Sequence, residues 1–139
     1  MHCYITRTTS YLPGPAVGND QIQQYLGSLD GEAEIKDTVL SMNGIVRRHY
    51  AQDEQQQQTH DVYDLGAQAV QNCLSQETAA ITYLAAGTTY SPLAAPGFAS
   101  ILHSRLRDRN YLDYPVEISS HAGVCSSAAS GLVGAIRAI

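Results

Sequence analysis

The chain has 139 residues, 44% of them hydrophobic and 15% charged, with a formal net charge of -5. That is long enough for one domain with a real core, and too acidic to offer the basic stripe that nucleic-acid binding requires. Arg47-Arg48 and the trio Arg105, Arg107 and Arg109 sit near acids or at a helix end and read as solvated faces. Cys3, Cys73 and Cys125 are odd in number, widely spaced and free of any CxxC pair, so neither a zinc site nor a disulfide framework is expected. Met1 to Ser10 lacks the layout of a signal peptide, and no apolar run approaches the ~20 residues of a membrane span. A cytoplasmic protein with no membrane and no nucleic-acid partner is expected.

Residues 3–12 are rich in β-branched and aromatic types and stop at Pro13-Gly14-Pro15, which predicts a strand ended by a rigid turn, with Cys3 packed inside it. Asn19 or Asp20 can cap a short helix carrying Ile22, Tyr25, Leu26 and Leu29. A second helix is expected over 32–41 with Ile35, Val39 and Leu40 inward, then Gly44 and an extended piece from Ile45 to Tyr50. Residues 51–58 (AQDEQQQQ) form a polar stretch with nothing to bury, hence an exposed loop. Thr59 is placed to cap the next helix, with Asp61 and Asp64 near its positive end and Val62, Leu65, Ala69 and Cys73 as its apolar stripe.

Ala79 to Ala86 is apolar on both faces, the pattern of a central strand covered by helices. Gly87 to Ala95 reads as a loop, and Pro96 suits the first turn of a helix whose buried face is Phe98, Ile101, Leu102 and Leu106. A strand is expected at 115–118. The last segment, from Ile118 to Ile139, carries no charge but Arg137 besides His121, which predicts a helix buried nearly all round, with small residues at 128–131. It ends without a stop signal, as if the chain were cut. The alternation of strands and helices defines an α/β class.

Cys125 falls where the last strand gives way to the last helix. Backbone N–H groups and the dipole at a helix start favour the thiolate form and can hold the oxyanion formed when it attacks a thioester. HAGVCSSAASG places a glycine before the turn and small residues after it, leaving room for substrate. A lone cysteine before an apolar helix also serves as a small buried hydrophobe, and the local pattern leaves both readings open. A nucleophilic serine at 126 or 127 lacks the GxSxG elbow; both serines read as helix-start donors.

Several segments, taken in order, resemble the N-terminal half of β-ketoacyl-[acyl carrier protein] synthase III. They are Tyr11-Leu12-Pro13 with Asn19, the run Gly44-Ile45-Val46-Arg47-Arg48-His49, and Thr59 opening a helix with Leu65, Ala67 and Ala69. They continue with the strand at 81–86 followed by Thr88, Thr89 and Pro96, and end with Val124-Cys125-Ser126-Ser127 at the family's nucleophile turn. The resemblance implies the first half of a thiolase-like fold, with α-β-α-β-α layers, over residues 1–139, and a second half absent. It implies acyl transfer: the Cys125 thiolate takes an acyl group from a thioester, and a malonyl thioester on acyl carrier protein then condenses with loss of CO₂. The family's histidine and asparagine come from the second half, and none of His49, His60, His103 or His121 matches that histidine, so this piece alone is expected not to condense anything.

The same resemblance implies a homodimer paired through the strand around 115–118, no permanently bound cofactor and no metal, with the acyl thioester of a carrier protein or coenzyme A as substrate. Thr38 and Met42 stand where coenzyme A-primed members carry a Trp and an Arg, which favours a carrier-protein donor. Ala95 stands where a bulky aromatic often reaches into the neighbouring subunit's acyl pocket, so Ala95, Thr89 and His121 are the candidate substrate-pocket residues. His121 has two readings: a ring facing the sulfur, or a hydrogen-bonded residue at a strand end. Beside condensation, in fatty-acid or polyketide synthesis, stand two alternatives: acyl transfer to an alcohol or amine by the same cysteine, and a non-catalytic ketosynthase-like partner subunit.

Overall fold

The computed structural model describes residues 2–27, 33–74 and 80–139. It is a mixed α/β structure that divides into two compact units, residues 12–61 and residues 1–11 with 62–139. Leu29 and Ala79 lie outside the described residues, as does the side chain of Ile35.

The smaller unit is built on a two-stranded antiparallel ribbon, β1 (Val17–Gly18) against β2 (Arg47–Arg48), with Val17 opposite Arg48. Helix α1 (Ile22–Leu26) buries Ile22 and Tyr25 but leaves Leu26 exposed. Its N-cap is Gln21, with no side-chain cap bond, rather than Asn19 or Asp20. The Asn19 side chain instead accepts from the Arg48 guanidinium. Helix α2 (Ala33–Met42) leaves Val39 and Met42 exposed, and Gly44 follows in the left-handed conformation that favours glycine. Tyr25 and Tyr50 stack at 5.5 Å, and the Gln52 amide donates to the Tyr25 carbonyl. The polar 51–58 stretch is a loop as expected, closed by a bridge between Gln52 and Gln58 and organised by Asp53, whose Oδ1 accepts from the backbone N–H of Gln55 and Gln57.

In the larger unit, residues 3–12 do not form a strand. Thr9 Oγ1 and the Arg7 guanidinium donate to the Ala69 and Cys73 carbonyls of α3 (Val62–Leu74), and Asn72 donates to the Ser10 carbonyl. A segment that spends its polar groups on the side of a helix has no ladder to join, so β-propensity does not decide its state. Cys3, expected in a core, is exposed. Helix α3 begins at Val62, too late for Thr59 to cap it; the Thr59 N–H bonds the Ala51 carbonyl. Its buried face is rotated from the expected stripe. Tyr63 and Ala67 enter the core with Val62, Val70 and Leu74 beside them, while the Ala69 and Cys73 carbonyls accept from Thr9 and Arg7 of the N-terminal segment.

Strand β3 (Tyr83–Gly87), helix α4 (Phe98–Asp108) and strand β4 (Glu117–His121) form a βαβ unit. The two strands run parallel, in a register placing Tyr83 opposite Glu117 and Gly87 opposite His121. Parallel strands need such a crossover, and both faces of the pair then need covering. Alternation along the strands assigns the faces. Leu84 and Ala86 join the core with Phe98, Ala99, Leu102 and Leu106 of α4, and Ser120 Oγ accepts from the Ala99 N–H. Tyr83, Ala85, Gly87 and His121 turn to the other side, against α5 (Ser127–Ala138). Layers of helix, sheet and helix result.

Three expectations are corrected here. Pro96 does not start α4: it follows a cis Ala95-Pro96 bond, and Gly97 is the N-cap. The last strand starts at Glu117, after Pro115, and not at 115, since proline has no N–H for a ladder. Helix α5 is not buried nearly all round. Ser127 and Gly131 are buried against the sheet, while Leu132, Val133 and Ile136 are about half exposed. A dearth of charge signalled an apolar surface rather than a covered one.

The core is sealed at Leu106 and Leu112, and Tyr63 stacks on Phe98 at 5.1 Å with its hydroxyl buried and without a hydrogen-bond partner among the described residues. The sign of a substitution therefore depends on what is removed. Leu106→Ala is expected to cost about 2–5 kcal/mol, whereas Tyr63→Phe, which deletes an unsatisfied polar atom, should leave stability unchanged or raise it by ~1 kcal/mol. Urea unfolding of both variants measures the pair.

Candidate functional site around Cys125

Between β4 and α5 lies a single turn of 3₁₀ helix, Val124–Ser126, and it carries Cys125 exposed to solvent. Helix α5 starts directly after it, at Ser127, so the sulfur-bearing residue stands at the positive end of a helix whose first N–H groups have no intrahelical acceptor.

The turn is built in an uncommon way. Val124, the residue before the cysteine, has φ 51°, in the left-handed region that β-branched residues avoid. Such a residue costs about 1–3 kcal/mol and persists only where its surroundings over-determine it. Here the Val124 carbonyl accepts from Thr89 Oγ1 at 3.0 Å, from Ser127 Oγ at 2.8 Å and from the Ser127 backbone N–H. The Ser127 hydroxyl also accepts from the Gly123 N–H at 2.8 Å, and Ser127 is only 2% exposed. Ser126 closes the other side, donating its hydroxyl and its backbone N–H to the Gly123 carbonyl. Ser126 and Ser127, expected as helix-start donors, thus donate back into the turn. Val124 itself was not foreseen, because its residue type argues against the conformation it adopts.

The turn also rests on Gly87, the last residue of β3. A Cβ placed there would lie 2.4 Å from the Ser127 carbonyl oxygen and 2.8 Å from the Ala128 nitrogen. Only glycine lets the strand end touch the backbone of the helix start. The loop leaving β3 is tied down by the Thr88 N–H to the His121 carbonyl and by Thr88 Oγ1 to the Tyr90 carbonyl.

The four residues singled out from the sequence fall into three environments. Thr89 touches the Cys125 turn directly, through Val124. His121 ends β4 with its ring against Gly131 and Gly134 of α5 and its Nε2 2.9 Å from Ser119 Oγ, which in turn is 2.6 Å from the Tyr83 hydroxyl. It also lines an open cavity of about 430 Å³ along α5, with Ala129, Ser130, Val133, Gly134 and Arg137. Ala95 is exposed in the loop before α4. Among the described residues, no group of His, Cys, Asp or Glu is arranged to hold a metal ion, and no helix is long and apolar enough to cross a membrane.

Compared with known protein families and with curated proteins, the chain matches none.

Replacing Gly87 tests the contact between the strand end and the helix start. Gly87→Ala must move backbone rather than a side-chain tip, so a loss of about 1–3 kcal/mol is expected. Ala85→Gly, one inward-facing position earlier on the same strand, controls for the mere change of residue type. Thermal unfolding that leaves Gly87→Ala at the parent's midpoint would refute the close approach.

Proposed function

We propose that this chain is the nucleophile-bearing half of an acyltransferase of the ketoacyl synthase III type, with the thiolase-like fold, and that the Cys125 thiolate accepts the acyl group. The observation that carries the reading is the presentation of Cys125: exposed, on a strained and heavily hydrogen-bonded turn, directly before α5. A cysteine serving as core filler needs neither exposure nor a left-handed residue beside it. The helix–sheet–helix layering around β3 and β4 is also what one half of such a fold requires.

In this reading the Cys125 sulfur attacks the carbonyl carbon of an acyl thioester. The new carbon–sulfur bond forms first, placing the negative charge on the carbonyl oxygen; as that charge returns to the carbonyl the old carbon–sulfur bond breaks and the carrier's thiolate leaves. N–H groups at the start of α5 stabilise the oxyanion of the tetrahedral intermediate. In the complete protein, loss of CO₂ from a malonyl thioester on acyl carrier protein generates a carbanion. It attacks the acyl-enzyme and expels the Cys125 thiolate, giving a 3-oxoacyl product. That half-reaction draws on a histidine and an asparagine outside these residues. Exposure of Cys125 favours this reading over a non-catalytic partner subunit, which has no use for a presented thiol. The apolar outer side of α5, with Leu132, Val133 and Ile136 about half exposed, supports a homodimer and an added second half as its cover.

Incubating the chain with an acyl thioester, on carrier protein or on coenzyme A, should add one acyl mass located on Cys125, and Cys125→Ala should abolish the label. Labelled malonyl–carrier protein should release no CO₂ with this chain alone. No acyl adduct on Cys125 from either donor would overturn the proposal. By light scattering, the chain is expected to self-associate through its uncovered apolar surface; a monodisperse monomer would count against the dimer.

A further inference from the structure

Thr89 and Ser127 converge on one atom, the carbonyl oxygen of Val124. We propose that they are positioning residues for Cys125: their two hydroxyls hold Val124 in its left-handed conformation and thereby fix the direction in which the next residue presents its thiol. The inference rests on the reading of Cys125 as a nucleophile and adds which residues set its geometry.

Chemistry and placement both support the assignment. A carbonyl oxygen has two lone pairs, and this one takes a threonine hydroxyl, a serine hydroxyl and a backbone N–H. Ser127 is buried, yet its hydroxyl is fully used, donating to Val124 and accepting from Gly123, so it joins the residues on both sides of the left-handed step. Thr89 is exposed on a different segment of chain, the loop leaving β3. Nothing in its surroundings obliges its hydroxyl to find a protein acceptor, since water is available. Its bond therefore ties the strand-exit loop to the cysteine turn. Without these donors, valine's steric preference returns Val124 to negative φ, and the Cα–Cβ direction of Cys125 swings with the peptide plane. Both hydroxyls of the threonine pair after Gly87 are used: Thr88 Oγ1 donates to the Tyr90 carbonyl within the loop, and Thr89 Oγ1 reaches the turn.

Alkylation of Cys125 by iodoacetamide reads this presentation without requiring any acyl chemistry. Exposed Cys3 in the same molecules serves as an internal standard when both sites are followed by peptide mass spectrometry. Thr89→Val and Ser127→Ala are each expected to slow Cys125 relative to Cys3 by about threefold to tenfold, the effect of losing one ordinary hydrogen bond. Thr89→Ser should restore the parent rate. Val124→Asn, which tolerates left-handed backbone, should rescue the Thr89→Val variant. Circular dichroism checks that each variant is folded; if buried Ser127→Ala is not, the exposed Thr89 series decides alone.

An unchanged or faster Cys125 rate in Thr89→Val overturns the proposal. So does a Thr89→Ser variant as slow as Thr89→Val, which would assign the effect to the methyl group. Acyl labelling separates the two ideas. A parent chain that alkylates readily at Cys125 yet never takes an acyl group defeats the acyltransferase reading and leaves the positioning role intact. Acyl labelling that succeeds while all variants alkylate alike does the reverse.

Discussion

The larger unit depends on a backbone-to-backbone approach: Gly87, at the end of a parallel strand, lies against the first residues of α5 with no room for a side chain between them. Because the strand end and the helix start meet there, the connection from β4 to α5 must turn within a few residues. The 3₁₀ turn that carries the exposed cysteine makes that connection. Gly131 and Gly134 extend the close approach along the helix, letting the His121 ring lie between strand and helix. Small residues on the inner side of α5 are thus a condition of how close the layers sit, and the larger apolar residues are relegated to the outer side.

The opposite face of the sheet obeys ordinary packing. Leu84 and Ala86 meet Phe98, Ala99, Leu102 and Leu106, and α3 adds Tyr63 and Ala67. The two faces therefore divide labour: one supplies hydrophobic burial, the other supplies geometry for a turn. The ion pair of Arg109 with Asp64, at 2.8 Å, is about one-third exposed on both partners and contributes little to stability.

Much of this was legible in the sequence where burial and period agree. The face of α4 was readable from Phe98, Leu102 and Leu106, and the apolar run at 79–86 predicted a strand that β3 forms at Tyr83–Gly87. The junction of strand and helix at Cys125 was readable from a strand expected at 115–118 and a nearly uncharged helical segment after it. Other features were hidden for identifiable reasons. Residues 3–12 have strand-like side chains, but their partner is the flank of a helix, which propensity does not encode. The stripe of α3 was misplaced because the N-terminal segment takes up one flank and the core another. Helix α5 carries no charge but Arg137, so its composition could not distinguish buried from bare. Val124 could not be found at all: the rule that reads φ from residue type points the other way, and only the donors around its carbonyl account for it.

Tyr83, Ser119 and His121 form a row of hydroxyl, hydroxyl and imidazole across the inner face of the sheet. Ser119 has one proton to give, so the row has a polarity. Where Nε2 accepts, Ser119 donates to the ring and Tyr83 donates to Ser119; in the other tautomer Nε2 donates, and the Ser119 oxygen, with two lone pairs, receives it. The three side chains therefore share their hydrogens, and the tautomer of the ring sets where Ser119 points its own.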